Sequence, residues 1–287
     1  MIWIKWLALI ISVLVAALLI AAAYGKSRWT KSSEALLAKI EAARLPAAIS
    51  RYDVRELEGL PTPVQRYFRA VLHDGQPIIT AVSIEQVGSM NMSETAQRWK
   101  PFTAKQRFVT RRPGFLWDAK IMMLPGVPVY VHDAYIAEDG LLNGAVLGLV
   151  PVVNVSGTPE MAQGELLRFF AEAAWYPTAL LPSQGVQWQP IDDRSASATL
   201  SDGNVAATMT FSFHEDGLID TVRAEARGRV VGGISSTAPW KGRFWNYALR
   251  DGVRIPLEGE VAWMLPEGAQ TYWRGKVTAL SHEFARD

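Results

Sequence analysis

Two kinds of hydrophobic pattern divide the chain, and the first is a continuous apolar run near the N-terminus. From Leu7 to Tyr24 no side chain is charged, and with Ile2–Trp6 the run reaches the roughly 20 residues that a helix needs to cross a bilayer. Rings that favour the headgroup layer stand at both ends, at Trp3, Trp6, Tyr24 and Trp29. The pattern predicts a transmembrane helix over residues 1–25. A cleaved signal peptide is the alternative, although its apolar region would be shorter.

The segment after this run has helical spacing in two places. Residues 32–44 place apolar side chains at positions 36, 37, 40 and 43, which share one face of a helix. A second helix is expected after Thr62, which can cap its N-terminus, with Pro63 in the first turn. We therefore predict a juxtamembrane helical region over residues 26–77.

From Ile78 onward the hydrophobic period changes to two, which is typical of half-buried strands in an antiparallel sheet. The clearest alternation runs through Val205–Phe213 and Val253–Leu265. The dipeptide Asp-Gly is a strong hairpin signal and stands between candidate strands at residues 139–140, 202–203, 216–217 and 251–252. The patterns predict a mainly β domain of the α+β class over residues 78–287, with about eleven antiparallel strands.

One helix is predicted to interrupt the sheet, over residues 158–174. Thr158 can serve as N-cap and Pro159 fits the first helical position. Arg168 and Glu172 are four residues apart and can pair on one side of this helix. If the helix lies inside a curved sheet, both are partly buried and must satisfy each other; otherwise they form a solvated ion pair.

Charge and cysteine content exclude several classes of protein. The formal net charge is +1, so the basic surplus typical of nucleic-acid binding is missing, and we expect no nucleic-acid partner. The chain has no cysteine, which excludes disulfides, thiolate metal sites and a cysteine nucleophile. Its four histidines show no metal-ligand spacing, and phosphate-binding or dinucleotide-binding glycine patterns are missing. We expect neither a cofactor nor a metal.

The segment from Arg111 to Tyr135 concentrates polar residues among apolar ones. Trp117 falls on the apolar face of a predicted strand, whereas Asp118 falls on the other face. One interpretation is a core strand between two turns. The other is that Trp117 lines a cavity and that Arg112 or Asp118 lies at its mouth.

The adjacent residues His132 and Asp133 invite an acid–base interpretation. Neighbours on a strand point to opposite faces, so these two side chains cannot touch each other. An enzyme built on His132, Asp133, Asp118 and Glu172 would need at least two of these groups to converge in one cleft.

Several long blocks resemble a known family. "LPTPVQRYFRAVL", "RPGFLWDAKI", "VHDAYIAEDG", "GELLRFFAEAAWYPTALLPS" and "YWRGKVTAL" resemble the signature blocks of a bacterial family of uncharacterised, often membrane-anchored proteins. The resemblance spans roughly residues 60–284. It implies membership without implying an activity.

The expected architecture is similar to a second group of proteins. We expect the strands to form one strongly curved open antiparallel sheet, a half-barrel, with helices packed on its concave face. This arrangement resembles the periplasmic lipoprotein-carrier fold, whose members hold acyl chains between sheet and helices. The resemblance concerns the fold and transfers no site residue.

Three functions follow as hypotheses. The first is a non-enzymatic, membrane-anchored domain that binds a lipid or another apolar molecule, through Arg112, Trp117, Asp118, Arg168, Phe169, Phe170, Glu172 and Trp175. The second is the enzyme described above, and the third is an envelope scaffold without a small ligand. We expect a single-pass protein of the inner (cytoplasmic) membrane with an extracytoplasmic body, although Lys26, Arg28 and Lys31 favour a cytoplasmic one by charge counting. The sequence does not indicate an oligomeric state.

Overall fold

The computed structural model describes residues 2–231 and 234–286. Met1 and Asp287, the outer limits of two predicted ranges, therefore lie outside the described residues. Three α-helices occur in the described part: α1 (Ile2–Ala43), α2 (Thr62–Val71) and α3 (Pro159–Ala171). Short 3₁₀ turns follow α3 as far as residue 184.

The strands form one open antiparallel sheet, which confirms the predicted fold class. It has 13 strands among the described residues, two more than the approximate count expected from the sequence. In chain order they are β1 (Ile79–Asn91), β2 (Trp99–Val109), β3 (Gly114–Leu124), β4 (Val127–Ile136), β5 (Asp139–Val146), β6 (Val150–Ser156), β7 (Gln187–Asp192), β8 (Ser195–Asp202), β9 (Val205–Phe213), β10 (Ile219–Val231), β11 (Ile234–Arg250), β12 (Val253–Leu265) and β13 (Gly268–Phe284).

The sheet consists of two meanders joined at its centre. Its spatial order is β6-β5-β4-β3-β2-β1-β13-β12-β11-β10-β9-β8-β7, so the last strand pairs with the first. Strands β6 and β7 are the two edges. Because successive strands twist in one direction, a sheet of this width curls rather than lying flat.

The curl encloses α3 on the inner face of the sheet. Helix α3 contacts β4 and β5 from one half of the sheet and β9 and β10 from the other half. Across the same space, the Tyr135 hydroxyl on β4 donates a hydrogen bond of 2.9 Å to Asp202 on β8. The main hydrophobic core fills the region between this inner face, α2, α3 and the 3₁₀ turns.

Helix α1 is a single helix of 42 residues that continues without a break from the apolar run into the predicted juxtamembrane segment. Its second half packs on the outer face of the sheet, where Ile40 contacts small and aliphatic side chains of β1 to β4. At the other end of this contact, Gly25 lies against the turn at Leu147–Leu149, where an added Cβ would come within 2.1 Å of the Leu147 carbonyl oxygen. The helix and the outer face are therefore fixed together over about 27 Å, from residue 25 to residue 43.

Candidate functional site

A cavity of about 530 Å³ lies between the inner face of the sheet and α3. Aromatic and aliphatic side chains dominate its wall, and a few charged groups occur in the wall and at its rim. The apolar wall includes Met90, Trp117, Ile121, Val129, Val131, Leu142, Val152, Val153, Ala171, Trp175, Trp240, Phe244, Val261, Trp263, Tyr272 and Trp273. Its rim consists of partly or fully exposed residues at positions 91–94, which span the end of β1 and the start of the β1–β2 connection, and of Val152 on the edge strand β6.

Arg168 of α3 is the centre of a buried ionic network in the cavity wall. Its guanidinium pairs with the carboxylate of Asp133 on β4 and, through Nε at 3.0 Å, with Glu172. These three side chains are only 13%, 14% and 15% exposed. Burial raises the pKa of Glu172, although Arg168 and a 2.7 Å hydrogen bond from Gln106 oppose that shift. The ion pairs therefore neutralise most of the charge that Arg168 and Glu172 bring into the interior.

The Arg168 guanidinium also lies over aromatic rings. Its central carbon is 5.1 Å from the centroid of the Phe115 ring and 5.0 Å from that of the Trp117 ring. Trp117 in turn donates a 3.0 Å hydrogen bond to Gln86. Cation–π contact and ion pairing together hold Arg168 in one position, so this part of the wall is preorganised.

A second arginine group enters the cavity from β10. A bulge between Ala224 and Arg227 interrupts the pairing of β10 with β11. Before the bulge the inward positions are even-numbered, as at Val222 and Ala224, and after it Arg227 and Arg229 face inward. The extra residue therefore moves two arginines from the outer to the inner side of the sheet.

Glu165 of α3 lies close to this pair and is 4% exposed. Burial raises the pKa of its carboxyl group well above the ordinary value, and the nearby Asp133 carboxylate adds to the effect. Its Oε1 is 3.6 Å from Nη2 of Arg227. The nearby Arg227 and Arg168 oppose this shift, and the net effect of folding is to move Glu165 toward its uncharged form.

Four of the residues proposed from the sequence line this cavity: Trp117, Arg168, Glu172 and Trp175. Trp175 is held by a 3.0 Å hydrogen bond from its indole nitrogen to the Pro256 carbonyl. The alternation of β3 and the four-residue spacing of Arg168 and Glu172 were the sequence features that indicated these positions.

The other four proposed residues lie elsewhere. Phe169 and Phe170 are fully buried in the solid core beside the cavity, where their rings contact Tyr176 and Phe211 respectively. Arg112 pairs with Asp202 at 3.1 Å and Glu138 at 2.5 Å, away from the cavity wall. Asp118 points to the outer face, because it alternates with Trp117 along β3.

Asp118 and His132 are cross-strand neighbours on β3 and β4 and meet Ser33 of α1 on the outer face. Ser33 Oγ is 2.7 Å from Asp118 Oδ2 and 2.8 Å from His132 Nε2. Trp29 stacks on the His132 ring, with 4.0 Å between centroids, and donates a 3.0 Å hydrogen bond to Asp118. We call these four residues the α1 dock.

The α1 dock contains Ser, His and Asp but is not arranged as a catalytic triad. In a triad the serine and the carboxylate contact opposite nitrogens of the imidazole ring. Here Asp118 lies 3.7 Å from the same Nε2 that contacts Ser33. The histidine is 1% exposed and the serine 6%, so a substrate has no access to either. The arrangement attaches α1 to the sheet.

The residues of the enzyme hypothesis separate into two pairs on opposite faces. His132 and Asp118 belong to the α1 dock, whereas Asp133 and Glu172 share Arg168 in the cavity wall. Adjacent His132 and Asp133 thus point apart, as strand geometry requires. Within the described residues, no three His, Asp or Glu side chains are grouped so that they could hold a metal ion.

Sequence comparison identifies one matching family. The sequence signature of DUF6920, described as a family of unknown function, matches residues 58–282. No curated protein matches the chain significantly.

Structural comparison finds partial similarity to solved structures. A LolA superfamily protein from Nitrosomonas europaea is similar at 8% identity with a TM-score of 0.38, over 78% of this chain and 92% of that one. A beta-barrel-like protein of the domain of unknown function DUF1849 from Brucella abortus is similar at 9% identity with a TM-score of 0.21, over 72% and 99% of the two chains.

Proposed function

The chain belongs to the DUF6920 family, and we propose that it is a membrane-anchored domain that binds a lipid or a similar amphiphile in the cavity beneath α3. The proposal rests on one observation. A cavity of about 530 Å³ with a mainly apolar, aromatic wall lies beside the main hydrophobic core, between the sheet and α3. Ligand pockets of proteins have this size, and their walls are mainly apolar with a few polar groups that fix orientation.

The shape of the wall supports a ligand with a long apolar part. The apolar residues come from eight strands of the sheet as well as from α3 and the turn after it. Full burial of one large apolar side chain contributes about 1.5–3 kcal/mol, and an acyl chain buries comparable surface. An apolar ligand is therefore the occupant that gains most from this wall.

Helix α1 supports the membrane part of the proposal. It is long and apolar enough to cross a bilayer, and none of its apolar run is buried against the rest of the protein. Only an apolar solvent or a partner would cover these side chains. The helix would then hold the cavity at a membrane surface, where amphiphiles are concentrated.

Filling the cavity tests the proposed binding. Val131 lines the cavity between Ala119 on β3 and Gly144 on β5, so a larger ring can project into the free space. We expect Val131→Trp to weaken binding of a fluorescent long-chain alcohol by about tenfold or more, because the ring displaces apolar contacts. The measurement is a fluorescence titration of the full-length chain in amphipol.

The control variant is Thr208→Trp, which adds the same ring on the exposed side of β9. It should bind the alcohol as the wild type does. Absence of saturable binding by the wild type, or equal binding by the wild type and Val131→Trp, would contradict the proposal. Native mass spectrometry of the same samples should show the alcohol bound one to one.

A further inference from the structure

Arg227 and Arg229 form a pair of buried cations that the network around Arg168 does not include. They are two residues apart on β10, so their side chains leave the same face about 7 Å apart. Both line the cavity, and their side chains are 11% and 12% exposed. Each guanidinium lies over an indole ring, at 5.0 Å from the Trp240 centroid and 5.1 Å from the Trp263 centroid.

The carboxylates near this pair are too distant to accept its hydrogen bonds. Arg227 Nη2 is 3.6 Å from Glu165, and Arg229 Nη2 is 3.8 Å from Glu94. Both distances exceed that of a good hydrogen bond. Among the described residues, no hydrogen bond from either guanidinium is found. A guanidinium carries five N–H donors, and leaving them unpaired away from water costs free energy.

The local balance of charge is also incomplete. Asp133 and Glu172 are both engaged by Arg168. Burial moves Glu165 toward its uncharged form, as described above, and its carboxyl group is not within hydrogen-bond distance of Arg227. Glu94 is 48% exposed and so interacts with Arg229 mainly through solvent-screened attraction. An anion placed between the two arginines would complete the balance.

Two other arginines of the same sheet show how exposure changes the need for a hydrogen-bond acceptor. Arg243 and Arg274 also lie over indole rings, those of Trp245 and Trp99, but they are 56% and 57% exposed. Water can satisfy their donors, whereas the buried pair needs an acceptor inside the cavity. The planar donors of arginine match the oxygens of a carboxylate or phosphate.

We propose that Arg227 and Arg229 bind the anionic head group, a carboxylate or a phosphate, of an amphiphile whose apolar chain occupies the cavity. The inference rests on the proposed function, since it names the polar end of the same ligand. The indole rings hold the guanidinium groups in place, and the bulge in β10 directs them inward.

Three fluorescent probes with one chain length, ending in an alcohol, a carboxylate or a phosphate monoester, test this assignment. The full-length wild type in amphipol should bind at least one anionic probe about tenfold more tightly than the alcohol, as expected for charge-assisted hydrogen bonds. The double variant R227Q/R229Q should lose this preference and bind the alcohol as the wild type does. The retained alcohol binding shows that the variant is folded.

The matched control is R243Q/R274Q, which removes the same charge from the exposed arginines and should keep the preference. A preference for the phosphate probe indicates a phospholipid-like ligand, and a preference for the carboxylate alone indicates a fatty-acid-like one. If the wild type binds all three probes equally, the inference is wrong and cavity binding stands. If no probe binds, the proposed function itself fails.

Discussion

Single residues in this protein are placed by small irregularities that a hydrophobic pattern does not record. Trp117 and Asp118 were assigned to opposite faces correctly, because β3 is regular there. Arg227 and Arg229 were missed, because the bulge after Ala224 reverses the phase of β10. A sequence with period two predicts which residues share a face only up to the first bulge. The inward direction of Arg227 and Arg229 is therefore seen only in the structure.

Arg168 gives a prediction about stability at this scale. In Arg168→Met, Asp133 and Glu172 would remain buried without a cation, a change that typically costs about 3–5 kcal/mol. We expect the unfolding temperature to fall by on the order of 10 °C. Thermal unfolding monitored by intrinsic tryptophan fluorescence measures this change.

Two comparisons define that experiment. Arg55→Met, in an ion pair whose arginine is 80% exposed, should leave the unfolding temperature unchanged. Neutralising all three buried groups, with Asp133→Asn and Glu172→Gln added to Arg168→Met, should recover much of the loss. An unchanged unfolding temperature for Arg168→Met alone would show that the network is not a stabilising element.

At the scale of elements, the long periodic segments were predictable and the edges were not. The apolar run, α2, α3 and the central strands follow their periodicity. The predicted cap of α3 is confirmed, because the Thr158 side chain accepts from Met161 at 3.2 Å. The predicted cap of α2 is wrong, because Thr62 is the first residue of that helix and no side chain caps it. Strand β6 was not expected from the sequence, because it shows no alternation of buried and exposed side chains: six of its seven side chains are exposed, and it contains a proline. The turn expected at Asp139–Gly140 lies instead at Ala137 and Glu138, which adopt φ of 52° and 72°.

Gly140 shows why that turn was misplaced. An added Cβ there would come within 2.6 Å of the Met161 backbone, so the glycine is needed for the close approach of α3 to β5. A glycine required by packing and a glycine required by a turn look alike in a sequence. Only the pairing of Ile136 with Asp139 distinguishes them.

The α1 dock gives a pH-dependent prediction for an element contact. Burial lowers the pKa of His132, although the Asp118 carboxylate opposes this. The unfolded chain therefore takes up a proton at this residue at higher pH than the folded one, and stability falls as pH drops below the ordinary histidine pKa of about 6.5. Comparison of wild type and His132→Gln between pH 8 and pH 5, roughly the range of histidine titration, should show a smaller decrease in unfolding temperature for the variant.

His73 provides the control for that measurement, because its side chain is exposed. His73→Gln should follow the wild-type curve. The interpretation of the dock would be wrong if His132→Gln lost as much stability on acidification as the wild type does.

For the whole molecule, the sequence indicated a membrane helix and a curved sheet but not how the two are joined. Helices were expected on the concave face, and α2 and α3 lie there. The second half of α1 occupies the opposite face, held by the α1 dock and by Ile40. The hydrogen bonds of the α1 dock join residues 85 or more positions apart in the chain, and a local pattern does not encode them. The side of the membrane on which the body lies stays a prediction.

The continuous helix makes the position of the cavity rim testable. Gly25, at the end of the apolar run, touches the Leu147–Leu149 turn, and β6 starts directly after it. Val150 and Val152 of this edge strand are 61% and 57% exposed. If α1 spans a bilayer up to residue 25, these valines lie at the membrane surface, and a ligand can pass between bilayer and cavity without crossing water.

Site-directed fluorescence in nanodiscs measures this geometry, and the chain has no native cysteine to interfere. A bimane label at Val152→Cys should be quenched by lipids that carry a spin label near the headgroup. A label at Ala42→Cys should not be quenched, because this exposed position lies about 26 Å beyond Gly25 along α1. Tyr24→Cys, on an exposed position at the end of the apolar run, serves as the positive reference. Equal quenching at positions 42 and 152 would mean that the rim does not face the bilayer, and the ligand would then have to enter the cavity through water.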